Sequence, residues 1–246
     1  MLSIGIQLYT VREELSHDAR GTLRKLAQVG FTGVEFAFQY GGLKPQELAD
    51  FLYETGLECI GIYTSMDQIE DPGSEAYQYA AVLKCPYFTT GITDMVNKQE
   101  WPKAIELVKN AAEVSAIKGI TLLYHNHWQE FKKLRGKYAL DILLEETDAE
   151  TVKVELDTGW IKKGGADPAD YIKKCAGRLP LLHVRDIKAD HEVTEIGNGI
   201  IDFPAVIAEA ERAGVKWAVY EQDISTIGIY ESAAKSYKSL RALTGQ

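Results

Sequence analysis

Residues 1–246 read as a single (β/α)8 barrel, an expectation resting on three observations. Eight short apolar runs recur along the chain, beginning near Ser3, Gly33, Glu58, Tyr87, Ile120, Val152, Leu181 and Trp217. Each gap between them is long enough for one crossover helix, as parallel neighbours require. Four successive runs close in residues that bind metal or move protons, and neighbouring parallel strands would bring those ends to one rim. They are Tyr124-His125-Asn126-His127, Val154-Glu155-Leu156-Asp157, His183-Val184-Arg185-Asp186 and Tyr220-Glu221-Gln222-Asp223.

Taken in order, the first run sets Ile4, Ile6 and Leu8 on one face and Gly5, Gln7 and Tyr9 on the other. Helical periodicity over His17–Val29 carries Leu23, Leu26 and Ala27 before a stop at Gly30. Glu35 closes the second run at an inward position, and Tyr63 does the same in the third. Between them Pro45 opens a helix that ends at Thr55 before Gly56. The acidic stretch Asp67 to Glu75 and the pair Cys85-Pro86 read as loop and solvated face. A helix over Trp101–Ile117 leads to the fifth run, where His125 and His127 share a face. In the sixth, Val152, Val154 and Leu156 alternate with Lys153, Glu155 and Asp157. A barrel keeps its helix-facing side apolar, so the second set points into the lumen. A helix over Asp167–Cys175 precedes the seventh run, with His183 and Arg185 on one face. The stretch Gly197 to Phe203 reads as a loop ending in an Asp202 cap rather than a phosphate cradle. Helices over Phe203–Ala213 and Ser232–Leu243 flank the eighth run, where Glu221 and Asp223 agree in parity. No linker or low-complexity stretch interrupts the alternation.

Composition narrows the function. Apolar residues make up 46% and charged residues 26%, as in an ordinary globular protein. The formal charge of −9 argues against nucleic acid and against an anionic membrane surface, both of which ask for Lys and Arg. No apolar stretch approaches the ~20 residues of a membrane span. Cys59, Cys85 and Cys175 have no metal-type spacing and leave one unpaired, so reduced structural thiols are expected. The N-terminal residues lack a basic segment and read as strand, which points to a cytoplasmic protein, a leader removed beforehand being left open. The expected partner is a small-molecule carbohydrate, and homo-oligomerisation is open.

Asp157, His183 and Glu221 offer two carboxylates and an imidazole, enough for one divalent metal ion once His125 or His127 adds a fourth ligand. Mixed nitrogen and oxygen donors suit Mn2+, Co2+ or Zn2+ better than an all-oxygen Mg2+ shell. The other histidine would serve as proton donor or hydrogen-bond partner. Glu155 either orients a ligand or pairs with Lys153. Trp160 forms an aromatic wall for a sugar face or packs as an ordinary core residue. Arg185 and Lys188 anchor substrate oxygens or are simply solvated.

These strand ends, with Ile4-Gly5-Ile6-Gln7-Leu8-Tyr9-Thr10-Val11-Arg12, Gly30 to Glu35 and Ile196 to Phe203, resemble the xylose isomerase-like TIM barrels over nearly the whole chain. This is the sugar phosphate isomerase/epimerase superfamily, with endonuclease IV as a distant member. The resemblance implies a metal held by Glu, Asp, His and Glu at four strand ends, with Asp157, His183 and Glu221 in the last three places. The first place departs from the pattern: His125 stands there, with His127 as substitute. Trp160 is a second departure, where ketose 3-epimerases carry a substrate-binding His. Together with Glu130-Phe131, these departures look more like the inosose dehydratase and keto-sugar branch.

The expectation is therefore a metal-dependent isomerase, epimerase or dehydratase acting on a sugar, keto-sugar or inositol derivative through an enediolate, elimination standing somewhat ahead of 3-epimerisation. Glu221 is the expected base as well as ligand, His127 the acid or second base. Gln7, Glu130, Trp160, Arg185 and Lys188 would hold the substrate. The alternatives are a sugar-binding barrel without catalysis and an endonuclease IV-like nuclease, the latter disfavoured by five histidines and the acidic charge.

Overall fold

The computed structural model describes residues 2–246. The eight apolar runs form eight parallel strands: Ser3–Gln7 (β1), Gly33–Ala37 (β2), Glu58–Tyr63 (β3), Tyr87–Thr90 (β4), Thr121–His125 (β5), Val152–Asp157 (β6), Leu181–Val184 (β7) and Trp217–Tyr220 (β8). Each pairs with its sequence neighbour and β1 closes on β8, giving a closed barrel without a free edge. Among the described residues no helix is long and apolar enough to cross a membrane.

The crossovers are Ala19–Val29 (α1), Pro45–Thr55 (α2), Glu75–Leu83 (α3), Trp101–Ile117 (α4), Ala139–Glu146 (α5), Pro168–Lys174 (α6) and Phe203–Ala213 (α7), and Ile229–Thr244 (α8) follows β8. Local signals set their ends. The Asp167 carboxylate accepts from the Ala169 N–H at 2.9 Å ahead of α6. Asp202, read as a cap, accepts from the Ala205 N–H at 3.1 Å. Removing such a cap typically costs about 1 kcal/mol. Gly214 ends α7 at φ 78°, a left-handed value that favours glycine.

Two crossovers departed from the sequence reading. Helix α3 begins at Glu75, and Met66–Glu70 forms a short helix inside the stretch read as loop. Its buried face is built from tyrosine and alanine, with Tyr79 stacked on Tyr40 at 3.5 Å and Tyr77 edge-on to Phe88 at 4.9 Å. Helix α5 carries no strong stop and follows a tiny hairpin, Lys133–Leu134 with Lys137–Tyr138.

The lumen is layered. Ile60, Leu123, Leu181 and Val219 form a dry floor, with Tyr87 and Trp217 packed against it. Strand side chains of one parity point the same way, so the next inward residues up are His125, His183 and Glu221. Register then sets the heights: His125 lies beside Glu155, and Asp157 beside His183. The polar strand ends thus gather in a ring at the C-terminal side of an apolar plug.

Candidate metal centre

The ring gathers ionisable groups where water is scarce. Glu35, Glu155 and Asp157 are fully buried, and His125, His183, Arg185 and Glu221 nearly so. The inward parity read for Glu35, Glu155, Asp157 and His183 is therefore the one observed.

His183 sits at the centre. Its Nδ1 lies 2.8 Å from Glu221 Oε2, while its Nε2 lies 2.7 Å from Glu35 Oε2 and 3.2 Å from Glu155 Oε1. Burial opposes its charge, yet Glu155, Glu35 and Glu221 together hold the imidazole well above its ordinary pKa. Glu35 is pushed up to about 8 by burial and by the neighbouring Glu155 charge. Glu155 pairs with this imidazole rather than with Lys153, whose ammonium reaches the Ala149 carbonyl at 3.5 Å.

Arg185 braces the other side. Its Nε donates to Asp157 Oδ2 at 2.8 Å, Nη2 lies 2.7 Å from Glu221 Oε2, and Nη1 donates to Asp223 Oδ2 at 2.6 Å. Burial pushes the Glu221 carboxyl up, but Arg185 and His183 outweigh it and hold the group well below the usual carboxylate range. Asp157 is raised to about 6, because burial outweighs the same guanidinium. The arginine stem crosses Gly159 so closely that a Cβ there would sit 2.6 Å from Arg185 Cδ. This is the physical role of glycine in Asp157-Thr158-Gly159-Trp160.

One ligand atom each from His125, Asp157, His183 and Glu221 lie within 4.8 Å of one another. Four donors about 2.0–2.2 Å from one ion are at most about 4.4 Å apart, so a shared ion needs only small shifts. The charges point the same way: with Glu35 protonated, the buried carboxyls of Glu155, Asp157 and Glu221 still outnumber the Arg185 guanidinium and the His183 imidazole. Among the described residues, His125 Nδ1, Glu35 Oε1 and both Glu155 oxygens have no hydrogen-bond partner. The donor set thus fits a divalent cation. Glu35, Glu155 and His183 form a second close set, but neither of its carboxylates lines the cavity.

That cavity, about 450 Å³, opens above the ring and is walled by Gln7, Tyr63, His125, His127, Trp160, Arg185, Glu221 and Asp223, among others. His127 stands beside Trp160, ring centres 5.7 Å apart, and burial lowers its pKa to about 4. The Arg185 guanidinium lies 4.9 Å from the Trp160 ring centre.

Two expected substrate contacts are corrected. Glu130 is fully buried; it accepts from Tyr124 Oη at 2.8 Å and from the His127 N–H at 3.0 Å, so it anchors the His127 turn from behind. Burial raises it to about 7. Lys188 is half-exposed, ion-paired with Glu192 at 3.2 Å, and borders a separate depression beside the Val193–Thr194 strand. The β7 chain turns away after Arg185, where Asp186 accepts from the Gly197 and Gly199 N–H groups at 2.9 and 2.8 Å.

Sequence reasoning missed Asn126, which accepts from the Asp157 N–H at 3.1 Å and ties β5 to β6. It also missed Asp223, Arg12 and Phe38 in the cavity wall. Asp223 carried a signal in its shared parity with Glu221; Phe38 carried none.

Residues 23–243 match the family model described as xylose isomerase-like TIM barrel. An inosose dehydratase of Geobacillus thermodenitrificans is 26% identical over 80% of this chain and 68% of its own. A sugar phosphate isomerase/epimerase of Parabacteroides distasonis superposes with a TM-score of 0.83 at 24% identity, over 98% of this chain and 94% of its own. An L-ribulose 3-epimerase gives 0.75 at 17% identity, over 100% and 95%.

Proposed function

The chain belongs to the xylose isomerase-like TIM barrel family, and on that premise we propose that it enolises a polyhydroxylated carbonyl compound, a sugar, keto-sugar or inosose. One observation carries the reading: a ring of buried carboxylates and imidazoles, short of positive charge, reaches an open polar cavity through His125 and Glu221. His125, Asp157, His183 and Glu221 would hold one divalent cation, Mn2+, Co2+, Zn2+ or Mg2+. Such an ion supplies Lewis-acid polarisation of a substrate carbonyl and opposes the charge of an enediolate.

The chain's own residues do the rest. Glu35 accepts from His183 Nε2, which would leave the Nδ1 lone pair to face the ion. Arg185 holds Asp157 and Glu221 in place through its fork. Glu221 Oε2 lies 2.7 Å from the Arg185 guanidinium, so it serves as an anionic ligand better than as the base. His127 is neutral near pH 7 and lines the cavity. We assign it to take the proton from the carbon beside the carbonyl. Returning the proton to carbon gives an isomer or epimer; passing it to a departing β-hydroxyl gives a dehydratase. The inosose dehydratase relative supports the second branch.

Chelator-stripped protein titrated with Mn2+ tests the reading, with turnover of ketoses, inososes and 3-keto-glycosides as readout. Activity lost on stripping and restored at one ion per chain supports it. Equal turnover without metal refutes it, and sugar binding without turnover of any substrate leaves a binding barrel instead.

A further inference from the structure

The cavity is polar at its base and apolar at its mouth. Besides the ring residues, its wall contains Tyr9, Ala37, Phe38, Tyr63 and Ile224. Three of these are exposed large apolar side chains: Tyr9 at 38%, Phe38 at 60% and Ile224 at 68%. Exposed apolar surface that rims a polar cavity marks a binding surface more often than chance does.

Both aromatic rings are held rather than loose. Arg12 lies 4.5 Å from the Tyr9 ring centre and donates to the Tyr9 carbonyl at 2.9 Å. Phe38 has φ 58°, a left-handed value that costs a non-glycine residue of order 1 kcal/mol. Its N–H donates to the Tyr63 carbonyl at 3.1 Å, and its ring meets Tyr63 edge-on at 5.3 Å. A bulky ring kept exposed in an unfavourable backbone conformation needs a reason, and folding supplies none. The cations of the wall are also engaged: Arg185 on three carboxylates, Arg12 on the Tyr9 and Asp223 carbonyls. Arg185 is thus offset by carboxylates, whereas Arg12 donates only to carbonyls and keeps its charge at the cavity wall.

We infer that Tyr9 and Phe38 form a subsite for a second ring of the substrate, so that the substrate is a glycoside, its carbonyl sugar at the polar base and an aryl group or second sugar against the aromatic side chains. The inference rests on the functional reading above. Apolar ring faces are the shared chemistry of both occupants, and aromatic side chains favour offset or edge contacts with them.

Calorimetry with non-reactive ligands tests this without catalysis. Glucose, phenyl β-glucoside, cellobiose and glucose 6-phosphate are titrated into Mn2+-loaded wild type, Phe38→Ala and Phe38→Gly. The subsite requires phenyl β-glucoside, cellobiose or both to bind wild type about tenfold tighter than glucose, a gain of aromatic-contact size. Which of the two gains identifies an aryl or a sugar occupant. Both variants should lose that gain while binding glucose as before, and Phe38→Gly should be at least as heat-stable as wild type because it relieves the φ strain. An undiminished gain in Phe38→Ala overturns the inference, as does tightest binding of the phosphate. So does a Phe38→Ala protein whose only change is its oligomeric state, which would show that a second copy covers the mouth. Loss of the gain in a protein that never turns over a keto-sugar would keep the subsite and reject the enolisation reading.

Discussion

Replacing Glu35 by glutamine separates two consequences of the buried carboxylates. The side chain keeps its shape, and the amide oxygen still accepts from His183 Nε2, 2.7 Å away in the wild type. What disappears is an ionisable group pushed from 4.5 to about 8 by burial and Glu155. A carboxyl with a raised pKa contributes stability that is fully present below its unfolded value and is lost as pH rises through the folded value. At pH 7 the unfolded chain ionises this group while the metal-free fold keeps it protonated. Two and a half pH steps of roughly 1.4 kcal/mol give about 3 kcal/mol as an upper figure. For a chain of this size that is about 6–12 °C in Tm. Glu35→Gln should therefore be more stable than wild type in chelator at pH 7, the gap closing toward pH 4.5. Its Mn2+ affinity should move the other way, falling about 10–100-fold as the His183 donor loses its anionic partner. Urea unfolding in chelator across this pH range, with Mn2+ titrations alongside, measures both. A variant less stable than wild type in chelator at pH 7, or one with unchanged Mn2+ affinity, refutes the charge reasoning.

Three other substitutions probe the same ring. Glu221→Gln should retain the circular dichroism of the wild type while turnover falls by at least about 10²-fold, since it removes an anionic ligand; near-normal turnover would place the metal elsewhere. Arg185→Met leaves Asp157 and Glu221 without their guanidinium and should destabilise the chelated protein by about 3–5 kcal/mol in urea, part of it regained with Mn2+; unchanged stability would mean the guanidinium is not what offsets those charges. Gly159→Ala puts a methyl 2.6 Å from Arg185 Cδ, and the displaced arginine should lower kcat/KM by up to roughly 10²-fold at unchanged fold. Wild-type kinetics there would show that the arginine position is not critical.

Much of this architecture was legible in the sequence for local reasons. The strands announce themselves because β-branched and aromatic residues cluster in short runs, and strand parity alone sent Glu35, Glu155, Asp157 and His183 inward. Helices bounded by Pro and Gly, such as Pro45–Thr55 and Phe203–Ala213, were readable to the residue. Glu75–Leu83 was not, because its buried face is tyrosine and alanine instead of leucine. The site errors share one cause. Glu130 and Lys188 follow the strand ends, where the chain is free to turn; parity no longer holds there, and only tertiary contacts decide that one is buried behind His127 and the other faces solvent. Phe38 lies just past β2 for the same reason, and its backbone conformation has no signature in the residue type.

The central claim is that this ring, loaded with a divalent cation, removes a proton from carbon next to a carbonyl. Solvent-deuterium exchange into ketoses, inososes and 3-keto-glycosides, followed by NMR in D2O, measures that step whatever the final product. The account predicts deuterium at the carbon beside the carbonyl of at least one of these classes with Mn2+ present, abolished by chelator and by His127→Asn. Metal-loaded protein that exchanges none of them, or exchange that survives chelation, would contradict it.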